Sequence, residues 1–205
     1  MDILITGFGP FPHVRVNPTA RLARAVASRL ARSGLNAGAL VLETSYCAGL
    51  PALREHLATA QPKAVLMLGL AARARFVRVE LFARGHASPL HPDATGETPK
   101  ARKALPALPS RTTANAQGAL AALRQRGIRA HLSPSAGRYL CDASYAAVLA
   151  QTRGSDTSVL FVHVPWLRPH AGVRPKHRVA TFRPDMQVLA SSLAAIGRTM
   201  ARAGR

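Results

Sequence analysis

Acidic residues are scarce in this chain: nine Asp and Glu stand against 28 Lys and Arg, a formal net charge of +19 over 205 residues. A field of that sign attracts nucleic acid, acidic surfaces and anionic substrates. Aromatic residues are also few, at 5%, and form no RNP-like stretch, so the stacking platforms of single-strand binders are missing. The arginines, among them Arg15, Arg24, Arg54, Arg78, Arg126, Arg153 and Arg202, are spread over the whole chain. That spread favours a solvated basic surface over a dedicated nucleic-acid module.

Only two cysteines, Cys47 and Cys141, are present, too few for a disulfide framework and without CxxC spacing. Histidines such as His86, His91, His163 and His170 are scattered and no HExxH occurs, so no metal is expected. GxxxxGK[ST] and GxGxxG are missing as well, which removes the phosphate-loop classes. No apolar run reaches the roughly 18 residues of a membrane span, because arginine and proline interrupt each one. Met1-Asp2 leads straight into Ile3-Leu4-Ile5 without the basic and long apolar segments of a secretory signal. The expectation is a cytoplasmic chain without a membrane segment. With 48% hydrophobic residues it can bury one sizeable core, as a single domain over residues 1–205.

What is present reads as alternating strands and helices. Ile3 to Thr6 is an apolar run closed by Gly7. Asn17-Pro18 supplies a cap and a first-turn proline for a helix whose Leu22, Val26 and Leu30 recur at four-residue spacing until Gly34. Leu40-Val41-Leu42 reads as a strand, Pro51 to Ala60 as a helix, and Ala64 to Leu68 as an interior strand. Val77, Val79 and Leu81 alternate with Arg78 and Glu80, as in a strand with two unlike faces. Gly85 to about Ser110 lacks periodicity and forms the longest candidate loop. A helix capped by Thr113 or Asn115 runs to Gly127, Ile128 to Leu132 is a strand, and Tyr139 to Gln151 a helix. Val159 to Val162 is a strand and Asp185 to Ala203 a closing helix. The pattern predicts an α/β fold with a mainly parallel sheet covered on both faces.

Ligands of open α/β sheets bind beyond the carboxyl ends of strands. Cys141 follows Ser133 to Gly137, where a strand has ended and a helix begins; unpaired amides and the dipole at a helix start favour a thiolate. The competing reading is a small buried hydrophobe. His163 closes the apolar strand and is followed by Val164-Pro165. Its imidazole can exchange a proton with a thiol and a departing amine, or serve only as a hydrogen-bonded strand end. Glu80, flanked by Val79 and Leu81, is a buried carboxylate in need of a partner. It either orients His163, as the acid of a Ser-His-Asp triad does, or pairs with Arg78 or Arg84. Gly7-Phe8-Gly9-Pro10-Phe11 fixes a tight loop that holds two phenylalanines at the sheet rim. They make an apolar slot for a flat uncharged ring, or simply cap the core.

Taken in order, these segments resemble pyroglutamyl peptidase I, the cysteine peptidases that remove N-terminal pyroglutamate. Thr6 to Phe11 followed by Asn17-Pro18-Thr19 is similar to the family's TGFGPF…NP[ST] signature, and Leu68-Gly69-Leu70-Ala71 with Glu80 to its LGLA segment and glutamate strand. Ser135 to Asp142 resembles the segment around the family's nucleophile, and Phe161-Val162-His163-Val164-Pro165 that around its histidine. The resemblance implies Cys141 as nucleophile, His163 as general base and acid, and Glu80 as orienting group. It places Phe8 and Phe11 in a pyrrolidone pocket with Arg75 nearby. It also implies a three-layer α/β/α sandwich with a twisted, mostly parallel sheet, N-terminally pyroglutamylated peptides as substrates, self-association, and neither cofactor nor metal. Pro12-His13, Arg73, Gly85 and Asp93 to Pro99 depart from the family pattern at positions near substrate. The rival expectation is a catalytically reduced relative that binds RNA or another polyanion through its basic surface.

Overall fold

The computed structural model describes residues 1–99, 109–168 and 183–204; residues 100–108 of the long Gly85 to Ser110 loop, and His170, lie outside that set. The strands are β1 (Ile3–Phe8), β2 (Ala37–Leu42), β3 (Ala64–Leu70), β4 (Val77–Glu80), β5 (Phe82–Ala83), β6 (Ser110–Arg111), β7 (Ala130–Ser133) and β8 (Ser158–Val164). The helices are α1 (Pro18–Arg32), α2 (Gly49–Ala60), α3 (Ala116–Gln125), α4 (Leu140–Gln151) and α5 (Met186–Ala203).

Local chemistry sets these boundaries. Asn17 caps α1 by accepting from the Thr19 amide, with Pro18 at the first helical position, where a missing N–H costs nothing. Asn115 and Asp185 cap α3 and α5 in the same way. Gln61, at φ +40°, takes the left-handed conformation that closes α2.

The main sheet has the order β2-β1-β3-β8-β4-β7. Neighbouring strands run parallel except at the β4–β8 seam, which is antiparallel; β5 and β6 form a small separate antiparallel pair. The reversal at β4 follows from its connection. Residues 71–76 hold no helix, and a parallel strand needs a crossover of about a dozen residues or more. The chain therefore turns back and enters the sheet beside β8 in the opposite sense.

Strand residues divide by parity between two cores. Ile3, Ile5, Leu66, Leu68, Leu160 and Val162 pack under α1, α3 and α5, whereas Leu4, Val65, Met67, Val159 and Phe161 face α2 and α4. A sheet buried on both sides in this way is the middle layer of an α/β/α sandwich. The carboxyl ends of β1, β3 and β8 open on one rim, above which α4 begins.

Candidate active site

His163 lies one residue before the end of β8, paired in register with Gly69 on β3 and Arg78 on β4. Because side chains alternate along a strand, His163 shares the α2/α4 face with Phe161 and projects at the rim. Glu80, two positions further along the antiparallel ladder and opposite Phe161, lies on the same face and is fully buried. Its Oε1 is 2.7 Å from Nδ1 of His163. An ionised carboxylate only accepts, so Nδ1 carries the proton and donates it to Glu80. The basic lone pair is thereby left on Nε2.

Arg78 completes the polar array. Its Nε is 3.1 Å from Glu80 Oε1 and its Nη2 is 3.3 Å from His163 Nδ1. Neither approach is a hydrogen bond: Nε has no hydrogen-bond partner among the described residues and meets the carboxylate as a charge, and with Nδ1 protonated the second is a contact between two donors.

Cys141 is the second residue of α4. Gly137, at φ +99°, makes the turn that leads from β7 into this helix, and Tyr139 enters it in an extended conformation. The first amides of a helix lack the usual partner within it; here the Asp142 amide turns back to Tyr139 O at 3.0 Å, and the amide of Cys141 itself favours its thiolate form. Gly69 explains how the sulfur reaches the sheet. A Cβ at that position would lie 3.0 Å from Cys141 Sγ and 2.8 Å from the Phe161 ring. The missing side chain makes room for sulfur on the strand residue paired with His163. Neighbouring Asp142, fully buried, accepts from the amides of Arg84 at 2.9 Å and His86 at 2.5 Å and so ties the start of α4 to the segment after β5.

Cys141 and His163 line one cavity of about 450 Å³, together with Phe8, Phe11, Leu70 and Arg78. Phe8 is buried at the end of β1. Phe11 stacks obliquely on Tyr139, whose ring meets Tyr46 edge-on, and the Tyr139 hydroxyl donates to Pro92 O at 3.0 Å. Of the expected site residues, the fold brings Cys141, His163, Glu80, Phe8 and Phe11 to this rim. Arg75 is exposed on the β3–β4 loop, and the arginines that line the cavity are Arg73, Arg78 and Arg138. Asn17 and Thr44 also line it. Both donate to Gly9 O, at 3.0 and 3.1 Å, and so fix the phenylalanine loop. Asn17 was legible as a helix cap, not as a wall; Thr44 carried no sequence signal.

The thiol differs from the expectation of a thiolate. Burial pushes the Cys141 thiol up to about 12, reinforced by the charge of Glu80 and opposed by Arg78. Burial also holds His163 below its ordinary value, against the pull of its bond to Glu80. Both directions favour a neutral thiol beside a neutral imidazole. The helix start acts on this sulfur, but desolvation of a group pressed between Gly69 and Phe161 outweighs it.

The pattern of the family described as pyroglutamyl peptidase matches residues 1–200. The chain is 32% identical to the pyrrolidone-carboxylate peptidase of Streptomyces coelicolor over 205 residues, 97% of this chain and 93% of that protein. It is 32% identical to that of Gloeobacter violaceus over 85% of each. Its fold superposes on the crystal structure of pyrrolidone carboxyl peptidase from Thermus thermophilus with a TM-score of 0.78, at 30% identity, covering 97% of this chain and 99% of that one.

Proposed function

Since this chain belongs to the pyroglutamyl peptidase family, a family of cysteine peptidases, we propose that it removes N-terminal pyroglutamate from peptides with Cys141, His163 and Glu80 as its working groups. The observation that supports these assignments is the 2.7 Å bond from His163 to buried Glu80 beside a cavity that Cys141 also lines. His163 Nε2 takes the thiol proton as Sγ attacks the exocyclic carbonyl, and the carbonyl oxygen gains the negative charge. Amides at the start of α4 stabilise that oxyanion. Collapse breaks the C–N bond, and His163 returns the proton to the leaving amine. Water then gives a proton to His163 while its oxygen attacks the thioester, which releases pyroglutamate and regenerates the thiol.

Phe8 and Phe11 form the wall for the lactam ring. A ring without charge enters an apolar slot readily, whereas glutamate would have to desolvate two charges there. A panel of fluorogenic amides tests this: kcat/KM for the pyroglutamyl amide should exceed that for the glutamyl, prolyl and N-acetylalanyl amides by at least about 100-fold. Equal values across the panel would reject lactam specificity.

One observation favours a second reading, polyanion binding. Arg29 and Arg32 of α1, Arg126 after α3 and Arg198 of α5 line a separate cavity of about 480 Å³, with no acidic residue among the described residues of its lining. Retention of a labelled oligonucleotide at increasing salt tests it. Joint replacement of Arg126 and Arg198 by alanine should lower the slope of log K against log salt by about 2, one phosphate contact for each arginine. An unchanged slope would reject this cavity as the binding locus.

A further inference from the structure

β4 presents a second charged residue on the face that carries Glu80. Arg78 sits opposite His163 across the antiparallel seam and lines the cavity with its side chain 30% exposed. We propose that Arg78 is a positioning residue of this peptidase, whose guanidinium balances the buried Glu80 carboxylate and thereby keeps His163 neutral as the base. The inference rests on the reading of His163 as the proton acceptor for Cys141 and adds a fourth group to that array.

Glu80 has no exposure, and its Oε2 lacks a hydrogen-bond partner among the described residues. A carboxylate in that position is costly unless opposite charge stands close. Two groups can supply it: an imidazolium at His163, or the guanidinium at 3.1 Å. If Glu80 had only His163, proton transfer onto the imidazole would create a buried ion pair, and the base would be consumed at rest. Arg78 supplies a permanent positive charge instead. Its Nη2, 3.3 Å from Nδ1, also repels the proton that would make His163 cationic.

Among the described residues, the other charged groups that act on the ring, Glu80 and Asp142, work in the opposite sense. From α4, Asp142 favours the imidazolium, Cys141 is a protonated thiol, and the Tyr145 hydroxyl donates to the backbone oxygen of Glu80 at 3.3 Å. From β3, Gly69 offers no side chain, and Phe161 on β8 meets the ring at a centroid distance of 4.8 Å. Among these groups Arg78 is the one cation; burial is the main cause that lowers the proton affinity of His163, and Arg78 adds to it in the same direction against the pull of Glu80.

The test compares Arg78→Gln and Arg78→Lys with the parent protein. His163 must be neutral to act, so activity is lost as pH falls through its proton affinity. Arg78→Gln should raise that acid limb of kcat/KM by about 1 pH unit, the low end for a nearby charge because the guanidinium is partly exposed. Arg78→Lys, which keeps the charge but not the fork, should restore at least half of the shift. NMR titration of the His163 ring in a Cys141→Ala background reads the same midpoint without turnover. An absence of pyroglutamyl hydrolysis in the parent would reject the peptidase assignment, while the NMR midpoint would still report on Arg78. Coincident His163 midpoints in the parent and Arg78→Gln would overturn the proposal, as would a lysine variant displaced as far as the glutamine one.

Discussion

Replacement of Cys141 by alanine is expected to lower the release of a fluorescent amine from a pyroglutamyl amide by at least about 10⁴-fold, leaving only what binding and the oxyanion donors supply. The magnitude follows from the chemistry. Without sulfur no acyl-enzyme forms, and His163 has no proton to take at the correct place. KM should change little, because Phe8 and Phe11, which wall the cavity, are placed by β1 and the loop after it. Retention of more than about one hundredth of the parent rate would sink the assignment of Cys141.

The protonation state of the resting thiol makes this prediction more specific. A preformed thiolate and imidazolium would be alkylated by iodoacetamide at a rate nearly independent of pH around neutrality. Burial that pushes the Cys141 thiol up to about 12 and holds His163 below its ordinary value implies the opposite. The alkylation rate should climb steadily with pH from neutrality upward, as the small thiolate fraction grows. A Cys47→Ser background removes the contribution of the exposed Cys47. The acid limb of kcat/KM should fall below pH 6.5, the ordinary midpoint of histidine, with no loss at mildly alkaline pH.

The residues that could be read from the sequence are those whose reason is local. A cap with a proline beside it marks α1, apolar runs mark β3 and β8, and both phenylalanines are held by a glycine-rich turn at the end of β1. The residues that escaped have distant reasons. Gly69 looks like any strand glycine until α4 brings Cys141 Sγ against it. The place of β4 in the sheet escaped because its neighbour, β8, lies far along the chain, although the short connection at residues 71–76 already sets its direction. The thiol's protonation has a distant reason too: the helix start is visible in the sequence, whereas the burial that outweighs it comes from Gly69 of β3 and Phe161 of β8. For Glu80 two partners were in competition, His163 and an arginine. The fold supplies both at once, and the sense of the site lies in their combination.

That combination predicts the outcome of Glu80→Gln. The carboxylate accepts from His163 Nδ1 at 2.7 Å, which fixes the proton on Nδ1 and leaves Nε2 free to receive one from the thiol. A glutamine of the same shape keeps the volume but offers an oxygen and an NH₂ group. Arg78, a pure donor 3.1 Å from the present Oε1, would draw the amide oxygen toward itself and turn the NH₂ group toward Nδ1. Nδ1 must then accept, so the proton moves to Nε2, where the ring can no longer take one from Cys141. The expected loss is about 10²- to 10⁴-fold in kcat, in the range found when a triad acid is replaced by its amide. KM should stay within about threefold, since Glu80 is buried beneath the ring and does not reach substrate. Heteronuclear NMR of the His163 ring supplies the independent readout, with Nδ1 protonated in the parent and Nε2 protonated in the variant. A variant with the parent kcat and an unchanged tautomer would remove Glu80 from the mechanism and leave it as the counterion of Arg78.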